Sequence, residues 1–315
     1  MSPSSKAGAG ASAVPRRSVD GVLLLDKPGG MTSNGALQQA KRLFRAEKAG
    51  HTGTLDPMAT GLLPLCFGEA TKFAQALLDG DKTYLATVAL GVTTDTGDAD
   101  GQEISRREVA VTEADVQRVL AGMLGPQMQV PPQYSALKHK GRALYDYARA
   151  GIEVPRPPRP IEIHELQLEA RSSAELVVRV RCSKGTYVRV LAENIGEALG
   201  CGAHLAGLRR IATGSFSLAA AHGFDALAQM SEAERDALLL PADSLLAALP
   251  RIDLASEQAV RLLRGQAVRV AGLGDGPWRA YDEQAFVGVV DALDGSLRPR
   301  RLMARAASRG EMLVA

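Results

Sequence analysis

The chain has 315 residues, 46% of them hydrophobic, and a formal net charge of +2 from 37 basic and 35 acidic side chains. That length favours about two domains with a sizeable core, and the near balance of charge excludes a globally basic nucleic-acid binder, so any such surface must be local. Three scattered cysteines, Cys66, Cys182 and Cys201, with no CxxC pair, point to a reducing compartment rather than a disulfide framework or zinc site, and no apolar run approaches the roughly 20 residues of a membrane span.

Residues 1–18 are small, polar and Pro-containing, the composition of a disordered tail. Arg16-Arg17 imitates a twin-arginine export signal, but Val22–Leu25 is too short an apolar region behind it, so a cytoplasmic protein is expected. Val22–Leu25 itself reads as a short strand ending in the turn Asp26-Lys27-Pro28-Gly29-Gly30. Thr32 or Ser33 caps the next helix, whose apolar face is Ala36, Leu37, Ala40, Leu43 and Phe44.

The stretch Gly50–Pro64 holds one carboxylate, one imidazole, three glycines and two prolines, with no lysine or arginine. Glycine and proline break both helix and strand ladders, so this is a loop that must hold a side chain in a fixed pose. Leu55, Leu62, Leu63 and Leu65 imply that it is half buried. An aspartate among apolar walls needs a partner for its charge, which makes Asp56 a candidate catalytic carboxylate. An Asp-Pro pair taken alone does no more than start a turn.

Beyond the loop, Ala70–Leu78 reads as helix, Thr83–Leu90 as strand and Val111–Leu124 as helix capped by Thr112. Residues 132–160 then carry Lys138, Lys140, Arg142, Arg149, Arg156 and Arg159 against Asp146 and Glu153, six minus two giving +4, with Tyr134, Tyr145 and Tyr147 interleaved. Cations meet phosphates and aromatic faces meet bases, so the segment is a candidate RNA grip; a solvated helix–loop accounts for the same charges. Leu176–Cys182 alternates as a strand, Tyr187–Leu199 is a helix ending at Gly200, and Leu205–Arg210 opens an extended piece. Strands and helices without strict βαβ spacing predict an α+β fold with a mixed β-sheet. After Pro250, the short apolar runs Val268–Val270, Ala285–Val290 and Leu302–Ala304 lie between Gly- and Asp-rich turns, predicting a small β-rich domain over 251–315. There Arg298, Arg300 and Arg301 form a candidate phosphate contact.

Other motifs lead nowhere. Asp95-Thr96-Gly97 matches the aspartic-protease triplet, but Thr93, Thr94, Asp98 and Asp100 surround it, and it reads as a polar turn. An EF-hand register there would place Thr96 and Arg107 at the first and twelfth ligand positions. The five histidines show no HxxxH or HExxH spacing, and neither GxxxxGK[ST] nor GxGxxG occurs, so neither a metal nor a nucleotide cofactor is expected.

Taken together, Leu25–Gly30, Gly50–Pro64 running on to Gly68-Glu69-Ala70-Thr71-Lys72, Asp81-Lys82-Thr83-Tyr84, Tyr134–Lys138, Tyr145–Arg149, Cys182–Arg189 and Leu208-Arg209-Arg210 resemble the TruB family of tRNA pseudouridine-55 synthases, in order and spacing, over about residues 20–215. The C-terminal part is similar to the family's PUA-like domain in size and strand content. The resemblance implies a catalytic domain over 19–250 and a PUA-like RNA-binding domain over 251–315, acting on the T-arm stem-loop of tRNA in the cytoplasm, as a monomer, with no cofactor, metal or membrane. By the same resemblance Asp56 is the catalytic carboxylate, Arg189 its cationic partner and Tyr84 the ring that stacks on the target base. Tyr187 and Leu208 match pocket walls, His51 the residue that enters the space left by the flipped base, and Lys27 a support of the active-site loop.

Pseudouridine formation breaks N1–C1′, turns the uracil and joins C5 to C1′, an isomerisation that gains and loses no electrons. A single ionised carboxylate beside C1′, C2′ and C6 can serve, by attack at C1′, addition to C6 or deprotonation of C2′, and Arg189 supplies a cation that cannot deprotonate. Two rivals remain open on the sequence: a non-catalytic RNA-binding or RNA-folding protein, and an Asp-nucleophile glycosidase, which would need a second carboxylate across the scissile bond.

Overall fold

The computed structural model describes residues 15–304 apart from Ala136 and Gln284. Residues 1–14 of the expected tail therefore lie outside the described residues. At its inner end Arg17 is bound: its backbone N–H donates to the Arg45 carbonyl at 2.8 Å and its guanidinium grips Asp236 at 2.6 Å through both nitrogens.

The body is built on a mixed sheet of nine strands among the described residues. In chain order they are β1 (Gly21–Lys27), β2 (Ala49–His51), β3 (Thr60–Phe67), β4 (Lys82–Leu90), β5 (Gly125–Gln129), β6 (Arg159–Arg171), β7 (Glu175–Cys182), β8 (Ala203–Thr213) and β9 (Phe216–Ser217). Seven run across the sheet in the order β1-β3-β8-β4-β7-β6-β5, with β2 on β3 and β9 on β8. All pairings are antiparallel except β3 with β8, which meet in parallel through Thr60–Arg209 and Gly61–Arg210. That one parallel contact lays the exit of the Asp56 loop beside the Leu208-Arg209-Arg210 motif.

The helices expected after Thr32, after Thr112 and from Tyr187 are present, whereas the expected helix Ala70–Leu78 is a 3₁₀ stretch (Gly68–Phe73) running into a short α-helix (Ala74–Leu78). Helix α1 (Ser33–Leu43) is capped by Thr32, whose hydroxyl accepts from the Gly35 N–H at 3.0 Å. It buries Ala36, Leu37 and Ala40 against the sheet, with Phe44 just beyond its end. Helix α2 (Glu113–Gly122) starts at Thr112 with a reciprocal Asp115 cap. Within the basic segment lie a tight hairpin, 138–143, and the short helix α3 (Leu144–Arg149). Helix α4 (Val188–Ala198) crosses the sheet with Val188, Leu191, Ala192 and Ile195 buried, each worth roughly 1.5–3 kcal/mol for the larger side chains relative to exposure. Gly196 lets it approach β8, since a Cβ there would lie 2.2 Å from the Ala203 nitrogen.

The C-terminal β-rich domain is present as a second sheet of five strands among the described residues: β10 (Arg251–Leu254), β11 (Val268–Arg269), β12 (Gly276–Asp282), β13 (Ala285–Leu293) and β14 (Ser296–Leu302), in the order β10-β12-β13-β14-β11. Helix α5 (Ser256–Leu263) packs on it around Leu262, Val290 and Leu297. The last strand runs 296–302 rather than over the expected 302–304, so Arg298, Arg300 and Arg301 stand on a strand, with Arg300 paired to Asp291 at 3.3 Å. No helix among the described residues is long and apolar enough to cross a membrane.

Candidate active site

Asp56 sits on the loop between β2 and β3, and four groups fix that loop. The Ser33 hydroxyl, buried at the start of α1, donates to the Leu55 carbonyl at 3.0 Å and accepts from the Leu55 N–H at 2.8 Å. The Lys27 ammonium, with no exposed surface, donates to the carbonyls of Pro28 (2.8 Å), Met31 (2.7 Å) and Pro57 (3.4 Å). The Gly30 N–H adds a second bond to Pro57 at 2.9 Å. Arg210, buried within the sheet, reaches the Leu62 carbonyl at 2.7 Å and the Gly53 carbonyl at 3.3 Å. Gly61 ends the loop at φ 98°, where a Cβ would lie 2.3 Å from the Arg210 carbonyl; glycine is required at that crossing.

Arg189, in the first turn of α4 and 5% exposed, points its Nε at Asp56 Oδ2, 3.1 Å away. Its Nη1 lies 3.3 Å from both Asp98 Oδ2 and the Thr96 carbonyl, and Nη2 donates to the Tyr134 carbonyl at 2.6 Å. The two groups on which the sequence reading depends are thus in contact. The Asp56 side chain keeps 40% exposure, open towards the cavities. Burial pushes its carboxyl above the ordinary aspartate value; Arg189 opposes this, Asp98 and Asp100 reinforce it, and Lys27 opposes it more weakly.

Asp56 and Arg189 line two cavities at once. The inner one, about 420 Å³, is closed by Tyr84, Tyr187, Leu208, Lys82 and Arg210. The outer, about 630 Å³, is bordered by Asn34 and His51 on one side and Tyr145 and Arg149 on the other. All seven predicted site residues are accounted for: Tyr84, Tyr187 and Leu208 line the inner cavity, His51 the outer, Asp56 and Arg189 both, and Lys27 lies beneath the loop. Tyr84 is deeply buried and its phenol pushed up by that burial, against the Arg210 cation. His51 has its Nδ1 buried without a hydrogen-bond partner, and burial, then Arg210, lowers its pKa; the ring is neutral at pH 7. Among the described residues no group of three or more His, Cys, Asp or Glu side chains is arranged to hold a metal ion.

Family comparison matches residues 41–188 to the N-terminal domain of TruB family pseudouridylate synthase, 189–247 to the tRNA pseudouridylate synthase B C-terminal domain and 250–303 to the pseudouridine synthase II TruB C-terminal region. The chain belongs to the TruB family. Among similar proteins, the tRNA pseudouridine synthase B of Azoarcus sp. (strain BH72) is 56% identical over 92% of this chain and 97% of its own length. That of Methylobacillus flagellatus is 53% identical over 92% and 97%. In three dimensions the chain aligns with one from the crystal structure of a Cbf5-Nop10-Gar1 complex (TM-score 0.69, 25% identity, covering 90% of this chain and 84% of that one). A chain from an H/ACA RNP bound to a substrate RNA containing 2′-deoxyuridine shares the fold (TM-score 0.68, 22% identity, 94% and 94%).

For a TruB-family pseudouridine synthase, an isomerase, the structure also supplies site residues that the sequence reading passed over. Asp98, read as part of a polar turn, is 5% exposed and forms the second carboxylate on Arg189, with Thr96 Oγ1 donating to it at 2.6 Å. Gln129, at the end of β5 and 5% exposed, accepts from the Tyr187 N–H at 2.8 Å and donates to the Tyr187 carbonyl at 3.1 Å. Lys82 lies under the inner cavity, with its ammonium on the carbonyls of Leu78 and Gly80, both at 2.6 Å. Lys82 and Arg210 fall within the motifs of the family pattern without an assigned role; for Asp98 and Gln129 the sequence held no signal of one.

Proposed function

We propose that this protein converts uridine 55 in the T-arm loop of tRNA to pseudouridine, by extruding the base into the inner cavity and using Asp56 as the single catalytic carboxylate. The coarser statement, a tRNA pseudouridine synthase, follows from the family and from relatives of that name sharing over half their residues. The observation that carries the finer one is the Asp56–Arg189 contact of 3.1 Å on the wall between the two cavities. A ribose held at that wall would present C1′ and C2′ to Asp56 while its base occupies the inner cavity against Tyr84. The outer cavity would receive the loop, with the neutral His51 ring filling the gap in the stack.

The extruded base costs a few kcal/mol of stacking and pairing, which contact with Tyr84 and Tyr187 offsets. Asp56 attacks or deprotonates the sugar, N1–C1′ breaks, the uracil turns, C5–C1′ forms, and the C5 proton leaves as N1 is protonated. Arg189 holds Asp56 ionised against the burial that disfavours its charge. Asp98 is no candidate for a second reacting carboxylate, because Arg189, Thr96 and the Asp100 N–H (3.2 Å) occupy it; this disfavours the glycosidase. The reading carries with it a monomeric cytoplasmic enzyme that needs no cofactor.

The deciding experiment incubates a T-arm hairpin with wild type and Asp56→Asn and measures pseudouridine and binding together. Wild type should modify the hairpin, and Asp56→Asn should yield no product with affinity changed by no more than a few-fold. Binding without product in the wild type would leave the RNA-binding rival standing; comparable loss of product and affinity in Asp56→Asn would remove Asp56 from the chemistry.

A further inference from the structure

Helix α1 serves the active site only at its start, where Ser33 and Asn34 border the outer cavity. Eight residues on, about 12 Å along the axis, Lys41 and Arg42 line a separate hollow of about 390 Å³ with Arg16, Gln38 and Arg45. No acid lines it. Arg45 is engaged by Glu232 at 2.6 Å, and the adjacent Arg17 by Asp236 at 2.6 Å. Arg16, Lys41 and Arg42 have no acidic partner among the described residues.

The helix dipole accounts for part of this arrangement, since cations are favoured in a last turn. It does not account for Arg16, which arrives from another part of the chain and adds repulsion. Asn34, Gln38, Lys41 and Arg42 share one helical face by their spacing, and Arg45 follows just past the helix end. Gln38 Nε2 donates to Asn34 Oδ1 at 3.4 Å, so a continuous polar strip leads from the cavity beside Asp56 to the unpaired cations.

We propose that Arg16, Lys41 and Arg42 form a phosphate-binding site for the base-paired stem of the RNA whose loop enters the cleft. This rests on the reading of the cleft as an RNA-loop site. Three cations around an acid-free hollow suit a duplex backbone, which proteins recognise through shape and phosphate rather than base edges. The distance from the cavity places them beyond the loop nucleotides, so the patch measures stem rather than sequence. Arg16, half of the apparent export signal, has a use here.

The test compares wild type with the triple variant Arg16→Gln/Lys41→Gln/Arg42→Gln on full-length tRNA and on a T-arm hairpin cut back to its loop-proximal base pairs, across a salt series. All three substitutions are outside the core, and circular dichroism checks the fold. The variant should bind full-length tRNA at least roughly tenfold more weakly, and its slope of log Kd against log salt should fall by about two, given ~0.7–0.9 per phosphate contact. Affinity for the cut hairpin and kcat at saturation should be unchanged. Lys41→Arg/Arg42→Lys, which keeps the charge, should bind as wild type. Unchanged tRNA affinity and slope, or equal weakening on both RNAs, would overturn the proposal. Failure of the functional reading looks different: wild type would make no pseudouridine in either RNA.

Discussion

The guanidinium of Arg189 makes its contacts in fixed directions: Nε to Asp56, Nη1 to Asp98 and the Thr96 carbonyl, Nη2 to the Tyr134 carbonyl. A lysine has one nitrogen for these positions and cannot reproduce a planar fork. Arg189→Lys should therefore lose at least about a hundredfold in kcat/KM, as expected when a reacting group is misplaced by about 1 Å; near-normal single turnover would dismiss the pairing. Asp56 itself predicts a trade between function and stability. Its carboxyl is raised in the fold, so folding favours the protonated form, and ionisation above that raised value costs stability. Asp56→Asn, inactive, should melt at or above the wild-type temperature at neutral pH, whereas a clear drop would contradict the direction of the shift. The acid limb of kcat/KM should correspondingly lie above the ordinary aspartate value. Lys27 sets the other side. Burial lowers its pKa to about 8, aided by Arg210 and opposed by Asp56. A neutral amine has two N–H groups for three carbonyls, so activity should fall above about pH 8. The linkage runs oppositely, because a depressed lysine releases its proton on folding and its contribution to stability rises between about pH 8 and the ordinary value near 10.4. Activity and melting temperature measured on the same samples should diverge there; a parallel fall would exclude Lys27 as the cause.

At the scale of elements, the site is an assembly of strand ends and one helix start, and legibility varied accordingly. The strands β4 and β7 and helix α4 announced themselves through alternation and helical period, but Tyr84 and Arg189 were singled out on them only by the family resemblance. β5 and β6 were not predicted: β5 carries Pro126 with Met128 exposed, and the alternation of β6 is broken by register shifts at 163/165 and 168/170, so neither shows a clean period. Asp98 was misread for a related reason. Its neighbours are polar, and its burial comes from afar, through a bridge to Leu205 and the Arg189 counter-charge. Gln129 depends on β5, and with that strand unseen the clamp on Tyr187 could not be inferred. Gln129→Leu should leave the Tyr187 N–H unpaired, costing about 1–3 kcal/mol, while the Tyr187 carbonyl keeps only the Leu191 N–H at 3.2 Å, and let the start of α4 shift. Turnover of the hairpin should fall about tenfold or more with Kd little changed, and Gln129→Glu, which retains the acceptor, should fall less. Equal kcat in all three proteins would reduce the clamp to packing.

Across the whole molecule the two sheets are joined by a small number of contacts. The Phe286 ring of β13 lies 5.4 Å from both Phe73 and Tyr281, Lys72 donates to the Leu302 carbonyl at 3.0 Å, and Tyr281 bonds Asp243. Phe73 in turn belongs to the cluster of Val22, Leu24, Leu62 and Leu246 on the side of the main sheet away from α1. The C-terminal sheet has a separate core around Ile252, Leu262, Val290 and Leu297. Nothing beyond Arg210 lines either cavity. Chemistry and domain docking are therefore separable, and Phe286 is where to separate them. Phe286→Ala removes the ring between Phe73 and Tyr281 at a cost of up to about 3–5 kcal/mol, less where the space collapses. That loss falls on the junction rather than on either core, so calorimetry should show the C-terminal unit melting earlier, as a transition distinct from that of the body. Hairpin turnover at 25 °C should match wild type, because Asp56, Arg189 and their supports lie in the other unit. One unshifted transition would mean that the junction does not couple the units, and lost turnover in the folded variant would mean that the C-terminal sheet shapes the site at a distance.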